Sequence, residues 1–206
     1  MIERAVAWDI DGTLVDSEGL HHRALMTVSA GYGFPIAADD ESFVGIGMDQ
    51  VWRSLRPRYP DGLNEAEWVA AISAAYVAGA GVLRAIPGAL EAMRELQRAG
   101  VPQCCVSNSA RQIVDINLAV IGALPFLRFS VSRDDVPRGK PDPAPYRLAC
   151  RRLGLSPASV LAVEDSDPGA RSARAAGCPV LRYGVDFRDF GRVLDRVLNL
   201  TTDQKE

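Results

Sequence analysis

A short apolar run without polar alternation, Ala5-Val6-Ala7-Trp8, leads straight into Asp9-Ile10-Asp11-Gly12-Thr13-Leu14-Val15-Asp16-Ser17. Such a run suits a strand buried on both faces, as in a parallel sheet flanked by helices, and ligands of such sheets bind at the strands' carboxyl ends. Extended backbone repeats every two residues, so Asp9 and Asp11 can lean into one crevice. Gly12 then lets the chain turn sharply. Two carboxylates with no Lys or Arg between them repel each other, and holding them together requires a cation, a shared proton or a catalytic task. The plain alternative, an acidic turn after a strand, weakens because the pattern has partners downstream.

Those partners come in three places. A second apolar run, Val101-Pro102-Gln103-Cys104-Cys105-Val106, ends in Ser107-Asn108-Ser109, hydroxyl and amide groups that on their own would serve to cap the next helix. Lys140 stands between Gly139 and Pro141, a setting with little backbone freedom in which an ammonium can be fixed as a point charge; taken alone it would be an exposed lysine in a Pro-rich turn. A last run, Val160-Leu161-Ala162-Val163, ends in Glu164-Asp165-Ser166-Asp167-Pro168-Gly169. Carboxylates at the tip of an apolar strand are poorly explained as a solvated charge run.

In that order the four segments resemble the motifs of the haloacid dehalogenase-like hydrolases, whose phosphatase branch carries D-x-D-G-T-L-x-D-S, then a Ser or Thr, then a Lys followed by Pro, then E-D-S-x-x-G. The resemblance spans residues 9 to 169. It implies that Asp9 is a nucleophile toward phosphorus and that Asp11 is the acid/base. It implies Ser107 as a hydrogen-bond donor to phosphate, Asn108 as a further donor or a helix cap, and Lys140 as the fixed cation. It implies a magnesium ion held by the Asp9 carboxylate, the Asp11 backbone carbonyl and Asp165, with Glu164 a second ligand or a water holder. Asp167 falls where the motif is free. The chemistry fits the residue types. A carboxylate nucleophile splits one hard displacement into two easier ones, a second carboxyl moves the proton at the bridging oxygen, and a dianionic phosphate approaching Asp9 needs a hard cation with oxygen ligands.

Strand-like runs near 5–10, 101–107, 129–132, 160–165 and 179–184 alternate with helix-like segments near 87–99, 109–121, 142–153 and 168–176, which predicts βαβ units and a parallel sheet. The expected class is α/β, with a Rossmann-like core from residues 1–15 and 85–206. Residues 16–84 show no convincing strand and read as amphipathic helices, one of them running from Asn64 as N-cap through Val77. The family resemblance implies that this insertion is a small helical cap, a lid that excludes water and chooses the substrate, hinged at Ser17-Glu18 and Leu83-Arg84-Ala85. His21, at the start of the first cap helix, is expected on the surface or at a cap, although some family members use a histidine there to position the acid/base.

With 206 residues the chain can bury one core and a small accessory unit. A net charge of −3 argues against nucleic-acid or membrane partners, which call for a basic patch, so a small phosphorylated metabolite has to be held by magnesium and Lys140. No stretch reaches the roughly 20 apolar residues of a membrane span, and Met1-Ile2-Glu3-Arg4 does not open a secretion signal, so the expected place is the cytoplasm. Cys104, Cys105, Cys150 and Cys178 lack metal-type spacing and read as reduced core residues. Thr201 to Glu206 read as a frayed end. The expected activity is a magnesium-dependent phosphomonoester phosphatase. A β-phosphoglucomutase-like sugar phosphomutase shares all four motifs, but Val44-Gly45-Ile46-Gly47-Met48 offers Met where such a mutase places an arginine, with Arg53 nearby. A regulatory protein with a relic site would have lost one of Asp9, Lys140 or Asp165, and none is lost.

Overall fold

The structure, a computed structural model, describes residues 5–43 and 47–202, without the side chains of residues 41 and 199–202. In chain order it contains β1 (Ala5–Trp8), β2 (Val15–Asp16), α1 (Glu18–Gly31), α2 (Met48–Leu55), α3 (Glu65–Gly79), β3 (Arg84–Ala85), α4 (Ala89–Arg98), β4 (Gln103–Val106) and α5 (Arg111–Val120). There follow β5 (Ser130–Val131), α6 (Ala144–Leu153), β6 (Val160–Glu164), α7 (Asp167–Ala176), β7 (Val180–Arg182) and α8 (Gly191–Thr202), with short 3₁₀ turns between some of them. The chain divides into two compact units, residues 17–83 and residues 1–16 with 84–206.

The α/β class expected from the sequence is the class observed. Five parallel strands lie in the order β5-β4-β1-β6-β7. The chain builds outward from β1 to β4 and β5 on one side, then returns to place β6 and β7 on the other. The crevice beyond the carboxyl ends of β4, β1 and β6 is therefore the switch point where such sheets hold ligands. Every residue of these three strands is buried, which explains why they read as continuous apolar runs. On one face Ala7, Cys104 and Ala162 pack with Tyr146, Ala149 and Cys150 of α6 and Ala173 of α7. On the other, the Trp8 indole donates to Gln103 Oε1 at 2.9 Å, Gln103 Nε2 donates to the Met93 carbonyl of α4 at 2.8 Å, and Trp8 lies 6.1 Å from the Phe190 ring. Gln103 thus satisfies a buried indole and a carbonyl together, which is how a polar side chain survives in the sheet.

The helical unit is built from α1, α2 and α3. Asn64 caps α3 as expected, with a reciprocal capping box to Glu67: Asn64 Oδ1 accepts from Glu67 N at 2.9 Å and Glu67 Oε2 from Asn64 N at 3.2 Å. Its interior is aromatic, with Trp52 stacked on Tyr59 at 5.8 Å and tilted against Trp68 at 5.4 Å, and Phe34 edge-on to Tyr59 at 4.8 Å.

Three expectations need correction. The segment between Asp16 and Arg84 is bounded by a two-stranded antiparallel ribbon, Val15 opposite Ala85 and Asp16 opposite Arg84, and two residues are too few to show a period in sequence. The helix α8 has no counterpart among the expected elements. Thr201 and Thr202 complete it rather than fray, while residues 203–206 lie outside the described residues, as do Met1 to Arg4 and Val44, Gly45 and Ile46. Met48 opens α2, and Arg53 pairs with Asp49 on the exposed face of that helix at 2.8 Å.

Candidate active site

The candidate groups converge because the backbone ladder continues past the strand ends. Asp9 N donates to Val163 O at 2.8 Å and Ser107 N to Val131 O at 2.9 Å, so each residue leaves its strand still hydrogen-bonded to the neighbouring one. Gly12 then turns the chain at φ +80°, and a Cβ there would run into the Asp165 carboxylate. The glycine is required twice over, by conformation and by space.

Lys140 is the hub. Its side chain is 3% exposed, and Nζ donates to Asp9 Oδ1 at 2.5 Å, to Glu164 Oε1 at 2.6 Å and to the Val106 carbonyl at 2.7 Å, which engages all three ammonium protons. Burial alone would lower its pKa, but the facing carboxylates Asp9 and Glu164 outweigh that and raise it, so the ammonium stays charged. Asn108 clamps its main chain at both ends, accepting from Lys140 N at 2.7 Å and donating to Lys140 O at 3.0 Å. Asn108 is exposed, and one of its two amide protons is left over from that clamp. It does not cap α5; the residue at that position is Ala110.

Glu164 has no solvent exposure. Besides Lys140 it accepts from the Tyr146 hydroxyl at 2.6 Å through Oε1 and from Ser166 Oγ at 3.3 Å through Oε2. A Cβ at position 169 would strike this carboxylate, which gives the glycine of E-D-S-x-x-G a steric reason. Asp165, the most exposed of the three acids, accepts from Thr13 Oγ1 at 3.4 Å. Carboxylate oxygens of Asp9, Glu164 and Asp165 all lie within 4.8 Å of one another. Burial, then Glu164, pushes the Asp165 pKa up to about 6. Burial raises that of Asp9, Lys140 opposes the rise, and Glu164, Asp165 and Asp11 add to it. Three carboxylates facing one ammonium leave this group short of positive charge, and its all-oxygen donor set suits a hard divalent cation.

Asp11 sits beside this group in a cradle of donors. Its Oδ2 accepts from Ser109 Oγ at 2.8 Å and Ser107 Oγ at 3.3 Å, and its Oδ1 from Asn117 Nδ2 at 2.9 Å. Asn117, in mid-α5, is fully buried. An asparagine inside a helix, where it is only a modest helix former, is explained by this bond to the Asp11 carboxyl.

Residues 3–177 match the haloacid dehalogenase-like hydrolase family. The chain belongs to that family. Among similar proteins, phosphoglycolate phosphatase of Thiobacillus denitrificans is 29% identical over 192 residues, covering 89% of this chain and 85% of that protein. Hexitol phosphatase A of Escherichia coli is 33% identical over 180 residues, 84% of this chain and 80% of that protein. The crystal structure of CbbY from Rhodobacter sphaeroides in complex with phosphate superposes with a TM-score of 0.81 at 28% identity, covering 94% of this chain and 96% of that one. Within the haloacid dehalogenase-like hydrolases, this chain is an enzyme of the phosphatase type.

Four of this hydrolase's anchoring residues were not legible in its sequence: Tyr146, Ser109, Asn117 and Arg182. Tyr146 and Asn117 lie on helices whose periodicity says only that they face inward. Ser109 carried a signal, as the third polar residue after a strand, but a helix cap explained it equally well. His21, half-buried, lies tilted against Tyr76 within the helical unit, ring centroids 4.4 Å apart. The four cysteines are free and buried as expected, with Cys150 and Cys178 Sγ 3.6 Å apart. No helix among the described residues is long and apolar enough to cross a membrane.

Proposed function

We propose that the protein is a magnesium-dependent phosphomonoester hydrolase that works through an aspartyl-phosphate on Asp9 and acts on a small phosphorylated metabolite. One observation carries this reading: the carboxylates of Asp9, Glu164 and Asp165 gather beside Lys140 at the carboxyl ends of the central strands. Relatives named for phosphoglycolate and for hexitol phosphates support a small anionic ester as substrate.

In the first step an Asp9 carboxylate oxygen attacks phosphorus and the bond from phosphorus to the ester oxygen breaks. Asp11, protonated, gives its proton to the leaving oxygen, so the alcohol departs neutral. In the second step water loses a proton to Asp11 and attacks the same phosphorus. The bond to Asp9 breaks, which frees inorganic phosphate and restores both side chains. Ser107 and the remaining Asn108 proton donate to phosphate oxygens, and Lys140 neutralises charge at Asp9 while fixing its rotamer. Asp9, Asp165, the Asp11 carbonyl and Glu164, directly or through water, would hold magnesium, which supplies charge neutralisation for the approach of nucleophile and phosphate. The Asp11 cradle keeps the acid/base in one place between the two proton transfers. Residues 17–83 we assign as the cap that governs water and substrate access.

A panel of phosphoglycolate, sugar and sugar-alcohol phosphates and nucleotides, assayed for phosphate release with magnesium and with chelator, tests the reading. At least one small ester should be hydrolysed in magnesium only. Isomerisation of β-glucose 1-phosphate far outpacing phosphate release, or full activity in chelator, would contradict it.

A further inference from the structure

Arg182 ends the edge strand β7, opposite Glu164 in the parallel register, and Tyr183 N donates to Glu164 O at 2.7 Å. Its own backbone is locked: Arg182 N donates to Asp186 Oδ2 at 2.8 Å, and Arg182 O accepts from Asp186 N at 2.7 Å. The side chain turns back across the tip of β6. Nη2 donates to the main-chain carbonyl of Asp165 at 2.7 Å, and Nη1 to the Asp167 carboxylate at 2.5 Å. The guanidinium is 18% exposed, and Nε is buried with no hydrogen-bond partner among the described residues. An Nε–H left unsatisfied is costly, so the fork is oriented for its two Nη contacts rather than for its own satisfaction. Both contacts fall on the segment from Asp165 to Asp167. This accounts for Asp167, the acid that the family motif leaves free.

We propose that Arg182 is a positioning residue for the divalent-cation site, acting on the main chain of Asp165; this rests on the metal-dependent reading above. Of the three converging acids, Asp9 is tied to Lys140 and Glu164 to Lys140 and Tyr146. Among the described residues the Asp165 side chain accepts from Thr13 at long range and from its own main chain, so where its carboxylate stands depends on where its backbone is held. That backbone forms the turn between β6 and the Ser166 N-cap of α7. Arg182 holds it from outside by a charge-assisted bond to the peptide carbonyl. Magnesium demands near-ideal octahedral placement of its oxygens, and loss of a residue that orients a ligand typically weakens metal binding about 10- to 100-fold. Asp167, exposed, orients the guanidinium from the solvent side and contributes less.

The test is magnesium binding by isothermal titration to the full-length protein without substrate, alongside thermal melts to establish folding, for wild type, Asp165→Ala, Arg182→Leu, Arg182→Lys and Asp167→Asn. Arg182→Leu should weaken magnesium binding about tenfold or more, and in turnover should raise the half-saturating magnesium concentration by the same factor with kcat at saturating magnesium little changed. Arg182→Lys, one donor able to reach the carbonyl without the fork, should fall between it and wild type. Asp167→Asn should shift binding by less than about threefold. Wild-type magnesium affinity in folded Arg182→Leu overturns the proposal, and if that variant does not fold, unchanged affinity in Arg182→Lys does so. A wild type that binds magnesium no better than Asp165→Ala instead removes the metal-dependent reading, and this proposal with it.

Discussion

The carboxyl ends of β1, β4 and β6 and the interior of the helical unit are both buried, and they are held together in opposite ways. At the strand ends three polar groups are each fixed by several directional bonds: Lys140 by three acceptors, Glu164 by Lys140, Tyr146 and Ser166, and Asp11 by Ser107, Ser109 and Asn117. In residues 17–83 the interior is aromatic surface packed tilted and edge-on, and the Trp68 indole N–H is buried with no partner among the described residues. The first arrangement tolerates few substitutions, because removing one partner strands a buried charge. The second tolerates volume-conserving changes, because rings and aliphatic groups can exchange contacts at modest cost. A rigid polar centre in one unit and an adaptable apolar interior in the other is what an enzyme needs if its chemistry stays constant while its substrate varies.

The largest effect is expected at Asp9, the proposed nucleophile. Asp9→Asn should lower turnover by on the order of 10⁴-fold or more without lowering the melting temperature, since the amide keeps the shape and relieves a carboxylate whose pKa burial raises. A melt with an ordinary decrease in stability would show that the charge holds the fold rather than serving chemistry.

One aromatic substitution in each region, read by magnesium binding, sharpens the contrast. Tyr146→Phe removes the hydroxyl that donates to buried Glu164 and should cost about 1–3 kcal/mol in denaturant unfolding, together with weaker magnesium binding. Trp68→Phe keeps an aromatic ring and deletes an N–H without a partner among the described residues, but leaves a cavity in a buried site and should cost on the order of 1–3 kcal/mol with magnesium binding unaltered. Equal magnesium affinity in the two variants would erase the distinction drawn here.

Smaller effects are expected at the margins. Asn64→Ala removes the α3 capping box and should cost about 1 kcal/mol. Asp135 has its pKa lowered to about 2: burial opposes the shift, but hydrogen bonds from Ser132 N and Oγ and the Arg111 guanidinium outweigh it. An unfolded aspartate titrates near 3.9, so the stabilising contribution is complete above about pH 4 and is lost as pH falls toward 2. Asp135→Asn should therefore flatten the acid limb of stability between those values, and an unchanged limb would remove Asp135 as its source.

The two regions also differ in how far sequence betrays them. Asp9, Asp11, Glu164 and Asp165 were legible as candidates because each stands at the end of an apolar strand where a carboxylate is hard to explain otherwise, whereas Ser107 and Lys140, explicable alone as a helix cap and an exposed lysine, became candidates through the ordered resemblance to the family's motifs. Tyr146, Asn117 and Arg182 were not, because each acts on a partner about 18, 106 or 17 residues away, and helix or strand period reports which way a side chain faces but not what it meets. The α3 helix was legible because its cap is local. The β2–β3 ribbon, two residues to a strand with Val15 pairing Ala85 across 70 positions, was not: its pairing is wholly non-local.

The central claim is that phosphorus passes through Asp9. Mass spectrometry of peptides from an acid-quenched single turnover, with enzyme in excess over a hydrolysed ester and magnesium present, reads it directly. The account predicts the mass of one phosphoryl group on the peptide that contains Asp9, absent in Asp9→Asn and without magnesium. A full yield of inorganic phosphate with no phosphorylated peptide at any time point, or the group on another residue, would contradict it.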